Sequence, residues 1–217
     1  MIRNRDEKIG EITGEINGIA NINEVYRSGP DLYFYKKLYR LRSNFDDSAA
    51  FLNDDCHMEL LYATLVAWDM NSRGAKMKYF DSFRNSILSC LELIEQLWGI
   101  EDFNQIGNEE LNTIMELYTN LHLMKTSSKL VSNSKLLHFL FPKLLMPMDG
   151  KNTLAYIYGN NGESLNKYIE IITLSWEIMG MEDLANYLDD GWNTTVPKII
   201  DNAIILIKKR DANANPV

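Results

Sequence analysis

Residues 56–97 read CHMELLYATLVAWDMNSRGAKMKYFDSFRNSILSCLELIEQL. Met58, Leu61, Leu65 and Trp68 recur at steps of three and four, and so do Phe80, Phe83, Ile87, Leu91, Ile94 and Leu97. That spacing keeps one face of an α-helix apolar, whereas a strand needs strict alternation. The stretch predicts a helix over about 56–70 capped by Asn53-Asp54-Asp55, a break at Asn71-Ser72-Arg73-Gly74, and helical period over 76–97 closed by Trp98-Gly99.

Outward from this stretch the same period recurs. Ile9, Ile12, Ile16 and Ile19 form a stripe on one side of residues 2–22, although Gly10, Gly14 and Gly18 each weaken a helix by roughly 1 kcal/mol. That stripe needs a partner surface, either in its own core or on a second subunit. Ser28-Gly29-Pro30-Asp31 is a break, and Pro30 can open the helix that follows. Residues 31–43 then interleave Tyr33, Tyr35 and Tyr39 with Lys36, Lys37, Arg40 and Arg42, the most basic helix in the chain.

A further helix is expected from Asn108 to Leu121, then a polar connector over 125–133 and a short buried helix over 136–141. Pro142 and Pro147 forbid regular helix between them. Short helices are expected over 151–158 and 183–188, a longer one from Ser164 through Met179, and a last one capped by Thr194 or Thr195 with Pro197 in its first turn. The chain therefore reads as all-α, a single compact domain of about eight to ten helices. Residues 1–24 would be an N-terminal amphipathic helix, 25–210 the helical domain and 211–217 a flexible tail.

Composition narrows the function classes. The 217 residues carry 22 Lys+Arg against 30 Asp+Glu, a formal charge of −8. Such a charge disfavours non-specific attraction to nucleic acid or to anionic membranes. No apolar run approaches the ~18 residues of a membrane span. The opening Met1-Ile2-Arg3-Asn4-Arg5-Asp6 lacks the apolar core of a signal peptide, so a cytoplasmic protein with reduced Cys56 and Cys90, both buried, is expected. Asp54, Asp55, Cys56, His57 and Glu59 lie too close in sequence to close a coordination shell on one helix. There is no Gly-rich nucleotide loop and no Gly-x-Ser-x-Gly elbow. Neither a metal nor a cofactor is expected.

Two polar groupings remain. Lys135 and His138 are three apart and share a helix face, and Asp149 follows Pro147 by two residues. Met in one cleft, Lys135 would hold an anion, His138 would orient or donate a proton, and Asp149 would act as base or orienting carboxylate. The competing assignment makes His138 a core hydrogen-bonding group and Asp149 the cap of the helix near Lys151. Ser72 and Arg73 form the second grouping, where a helix start and a guanidinium could hold a phosphate or carboxylate.

The pattern Ser134-Lys135-x-Leu137-His138-x-x-x-Pro142-x-Leu144-x-x-Pro147-x-Asp149, with Trp68 to Ala75 and Pro197 to Ala203, resembles a family of uncharacterised prokaryotic helical proteins. The similarity spans about 60–205 and implies an all-helical fold. Lys135 and Pro147-x-Asp149 are also similar, over about 20 residues, to helix-hairpin-helix DNA glycosylases. In those enzymes a lysine opens the helix after the hairpin and a catalytic aspartate follows. The glycines of that hairpin and a cysteine cluster are missing here.

The functional expectation is a module that recognises a small ligand or a protein partner through a cleft near Ser72, Arg73, Lys135, His138 and Asp149. Whether it is an enzyme stays open at this stage. The alternatives are a DNA-binding protein of the glycosylase type and a homodimer through the isoleucine stripe.

Overall fold

A computed structural model of the chain describes residues 1–26, 28–70, 76–181 and 183–214. The fold is 71% helical, with twelve helices and no strand among the described residues. Contacts divide it into two compact units: unit 1 is Met1–Ser28 with Met146–Val217, and unit 2 is Gly29–Leu145.

Unit 1 begins with α1 (Arg5–Ile16) and α2 (Ile22–Val25). After residue 145 it resumes with a wide turn over Gly150–Leu154, α10 (Ala155–Tyr158), α11 (Leu165–Met181), a tight turn over Leu184–Tyr187 and α12 (Val196–Ala214). The isoleucine stripe finds its partner surface here. Ile9, Ile12, Ile16, Ile19 and Ile22 are all buried, and α1 packs along α12, whose Ile199, Ile200, Ala203, Ile204 and Ile207 are buried too. Each isoleucine so covered contributes roughly 2 kcal/mol of burial. Gly10 and Gly14 face open space, so they weaken the helix without serving a close approach. Ser164 accepts from the amide of Lys167, and Thr195 accepts from that of Lys198, which fixes the starts of α11 and α12.

A polar network, buried at Asn193, Lys198, Asp201 and Asn202 and exposed at Asn23 and Asp189, ties α12 to the segment before it. The Lys198 ammonium donates to Asp201 at 2.6 Å and to the Asn202 side-chain oxygen at 2.7 Å. The Asn202 amide donates to the Trp192 carbonyl at 3.0 Å and to Asn193 Oδ1 at 2.9 Å. Asn193 in turn donates to Asp189, which also accepts from Asn23 Nδ2. Asn23 Oδ1 closes the circuit by accepting from the Trp192 amide at 2.9 Å.

Gly191 is closely approached by the Asn23 side chain in this loop. A Cβ there would lie 2.1 Å from Asn23 Oδ1 and 2.7 Å from its Cγ. Asn23 cannot move without losing Asp189 and the Trp192 amide. Gly191→Ala should lower stability by about 1–3 kcal/mol in urea unfolding, the usual range for overpacking. An unchanged midpoint would contradict the packing described here.

Unit 2 comprises α3 (Pro30–Arg42), α4 (Ser48–Asn53), α5 (Asp55–Leu65), α6 (Phe80–Leu88), α7 (Leu91–Trp98), α8 (Asn108–Asn120) and α9 (Leu130–Leu140). Pro30 sits in the first turn of α3, and Asp47 and Asp54 cap α4 and α5 through side-chain oxygens. Three expectations are corrected. The periodic run 76–97 is two helices, because the chain turns at Ser89-Cys90, where the Cys90 amide bonds the Ile87 carbonyl and the Ser89 hydroxyl bonds Ser86. The connector 125–133 is helical from Leu130, because buried Asn133 donates to the carbonyls of Tyr118 and Leu121 at 2.9 and 3.1 Å. Cys56 is exposed on the solvent side of α5, while Cys90 is buried, and both thiols are free. Burial pushes the Cys90 thiol up from its ordinary range.

Arg42, at the end of α3, is the main polar staple of unit 2. Its guanidinium lies 3.3 Å over the Trp98 ring and donates to the carbonyls of Leu140 and Trp98, both at 2.8 Å. It thereby satisfies carbonyls at the C-terminal ends of α9 and α7. Burial lowers its pKa to about 10, while Glu101 and Asp46 act the other way, so it stays charged at neutral pH.

Candidate functional site

The regular helix α5 ends at Leu65, and Val66–Met70 makes a wide turn. Within it Asp69 takes a left-handed conformation, φ 68° and ψ 22°. Aspartate tolerates that region better than most side chains, yet it remains a strained place for a non-glycine residue. Trp68 anchors the bend. Its indole N–H donates to the Asp31 carbonyl at 3.2 Å, and its ring packs against Tyr35 and Phe139, each 4.9 Å away between centroids.

Helix α9 brings two of the expected site residues to this bend. The part-buried Lys135 donates to the Trp68 carbonyl at 2.8 Å. One turn on, His138 is fully buried and its ring is inclined 25° to that of Trp68, 6.3 Å between centroids. His138 Nδ1 is 2.7 Å from the Leu145 carbonyl, which can only accept, so Nδ1 carries the proton. Nε2 then accepts from the Tyr35 hydroxyl, also at 2.7 Å, and Tyr35 is itself buried. Tyr35, His138 and the Leu145 carbonyl thus form a dry hydrogen-bonded chain behind the bend. With both ring nitrogens engaged, His138 orients its neighbours and has no lone pair aimed at a reacting group.

Asp149 belongs to unit 1, where its carboxylate accepts from the amides of Lys151 and Asn152 at 2.7 and 3.1 Å. Its own amide donates to Thr153, so it caps the turn 150–154. Ser72 and Arg73 lie outside the described residues. Ser134 is inside α9 and bonds back to the Val131 carbonyl. Lys135 is the sixth residue of α9, not its first.

Tyr35 and Trp68, which sequence reasoning left in the core, are the side chains that join α3 and the bend to His138. The only signal for Tyr35 was its place in the aromatic run of α3. The Lys198–Asp201–Asn202 network was missed as well, although two charges and an amide inside the apolar run 196–207 were visible.

Comparison with family models, with curated proteins and with solved structures gives no match. The site must therefore be read from its own chemistry. Among the described residues, no three His, Cys, Asp or Glu side chains are grouped to hold a metal ion. No described helix is long and apolar enough to cross a membrane. The bend offers a part-exposed ammonium beside strained backbone, on a wall stiffened by an aromatic and histidine cluster. That arrangement suits recognition of a negatively charged group better than proton transfer.

Proposed function

We propose that this chain is a cytoplasmic ligand-recognising protein, and that unit 2 binds a small anionic ligand at the 66–70 bend with Lys135 as its electrostatic anchor. The observation that carries the reading is the meeting of Lys135 with the Trp68 carbonyl, immediately before left-handed Asp69. Backbone strain of this kind concentrates at ligand sites, where the surrounding structure holds it in place. Ser72 and Arg73, which the sequence reading joined to this site, follow Asp69 within four residues in sequence. The Tyr35–His138 pair supports the wall from behind. Recognition is preferred to catalysis because the imidazole is fully engaged.

Thermal unfolding with phosphate, pyrophosphate and simple dicarboxylates tests the reading. At about hundredfold excess over Kd, a binding anion should raise Tm by about 5 °C or more. Lys135→Gln and Arg73→Gln should each abolish most of that shift while their unliganded melts stay close to wild type. A shift that survives both substitutions, or none with any of these anions, would overturn it.

A further inference from the structure

A second cationic face lies in unit 2, where the segment before α6 meets the segment after α8. Met77 and Met124 pair in a short antiparallel bridge, with the Lys78 amide donating to Leu123 at 2.9 Å and the Lys125 amide to Lys76 at 2.8 Å. Both methionines are buried, so the bridge turns them inward and sets Lys76 opposite Lys125. The segments 76–80 and 121–130 together carry four lysines, one histidine and no carboxylate, in a chain whose net charge is −8.

The remaining basic groups converge on the same place. Lys129 donates to the Thr119 carbonyl, and the His122 amide donates to Ser86. Burial, then Lys129 and Lys78, hold the His122 imidazole below its ordinary range, and burial and Lys78 lower Lys129. Like charges therefore act on one another across this face. Beside them Tyr79 is 76% exposed, and the Lys125 ammonium sits 3.8 Å from its ring centroid. Asp81, exposed in the first turn of α6, is the carboxylate nearest in sequence.

We infer that this face binds single-stranded nucleic acid, with Lys76, Lys78, Lys125 and Lys129 on successive phosphates and Tyr79 stacking on a base. A row of cations with an exposed aromatic ring is the chemistry that tracks a single strand without reading its sequence. The remainder of the chain is net acidic and disfavours polyanions over most of its surface, which leaves the basic helix α3 as the rival face. The inference is independent of the anion site at Lys135.

Fluorescence anisotropy with a labelled oligothymidylate of about 20 nucleotides, at low and moderate salt, tests it. The wild type should bind with a salt-dependent Kd. Lys78→Gln with Lys125→Gln should weaken binding about tenfold or more and reduce the salt slope by about 1 to 2, since each neutralised phosphate contributes about 0.7. Tyr79→Ala should weaken binding about tenfold with the slope little changed. Lys135→Gln should leave binding as it is, which separates this face from the other site. Circular dichroism melts establish that the variants are folded. Absence of binding at low salt overturns the inference. So does loss of binding only in a Lys37→Gln, Arg40→Gln variant of α3. Competition by inorganic pyrophosphate as effective as that by the oligonucleotide, phosphate for phosphate, also overturns it, because the face would then be a small-anion site.

Discussion

Asp201→Ala should destabilise the protein by about 3–5 kcal/mol, measured by urea unfolding with tryptophan fluorescence as the probe. The Lys198 and Asp201 side chains are only 5% and 7% exposed, and their 2.6 Å contact is what makes two buried charges tolerable. Removing the carboxylate leaves an ammonium in a site poor in water. Lys198→Met should cost a similar amount, because it removes the ammonium from the buried carboxylate and also takes a donor from fully buried Asn202. The double variant Lys198→Met, Asp201→Leu removes both charges at once. Its loss should be well below the sum of the two single losses, with a coupling of about 2 kcal/mol or more. Trp192 lies in the network and reports on it directly. Single losses under about 1 kcal/mol, or strict additivity, would mean that the pair is hydrated in solution.

His138→Ala should be comparably severe, about 3–5 kcal/mol. The imidazole is fully buried, so its loss opens a cavity and removes the partners of the Leu145 carbonyl and the Tyr35 hydroxyl together. A graded series separates the contributions. His138→Phe fills most of the volume and loses only the two hydrogen bonds, so about 2 kcal/mol is expected. Tyr35→Phe removes one hydroxyl and should cost about 1–2 kcal/mol. The order Ala, then Phe, then Tyr35→Phe is the result to look for. A His138→Phe protein as stable as wild type would show that the hydrogen-bonded chain adds nothing beyond packing.

Much of the helical pattern was legible because local chemistry and burial agree. Pro30 opens α3, Thr195 caps α12, and the isoleucines at 9, 12, 16 and 19 mark a face that α12 covers. The failures arise where tertiary partners outweigh local pattern. The jog at Ser89-Cys90 leaves the apolar spacing of 76–97 intact, so periodicity cannot show it. Ser132 and Asn133 read as loop residues, yet they are helical because Tyr118 and Leu121 supply carbonyls for Asn133. The break at Ser28-Gly29-Pro30-Asp31 marks a unit border, but nothing in the pattern shows that residues after 145 return to the first 28.

The site shows the same division. Lys135 and His138 were readable as neighbours on one helix face, and Asp149 as a cap before a short turn. Their distant partners were not readable. Tyr35 is 103 residues from His138, and Trp68 is 67 residues from Lys135. Asp69 keeps its place in a helical-looking run, so its left-handed conformation is invisible until the bend is seen. The Lys198 network depends on a carbonyl at 192 and amides at 193 and 23, which no periodicity records.

The proposal that an anion is held at the bend beside Lys135 is tested most directly by following the four tryptophan indole N–H signals in a 1H–15N spectrum during titration with pyrophosphate. The Trp68 signal, assigned by its loss in Trp68→Phe, should move progressively and saturate, while those of Trp176 and Trp192 in unit 1 stay in place. The same titration of Lys135→Gln should leave Trp68 unmoved. A titration that leaves the wild-type Trp68 signal where it began, or that moves it equally in Lys135→Gln, would contradict the assignment of the site.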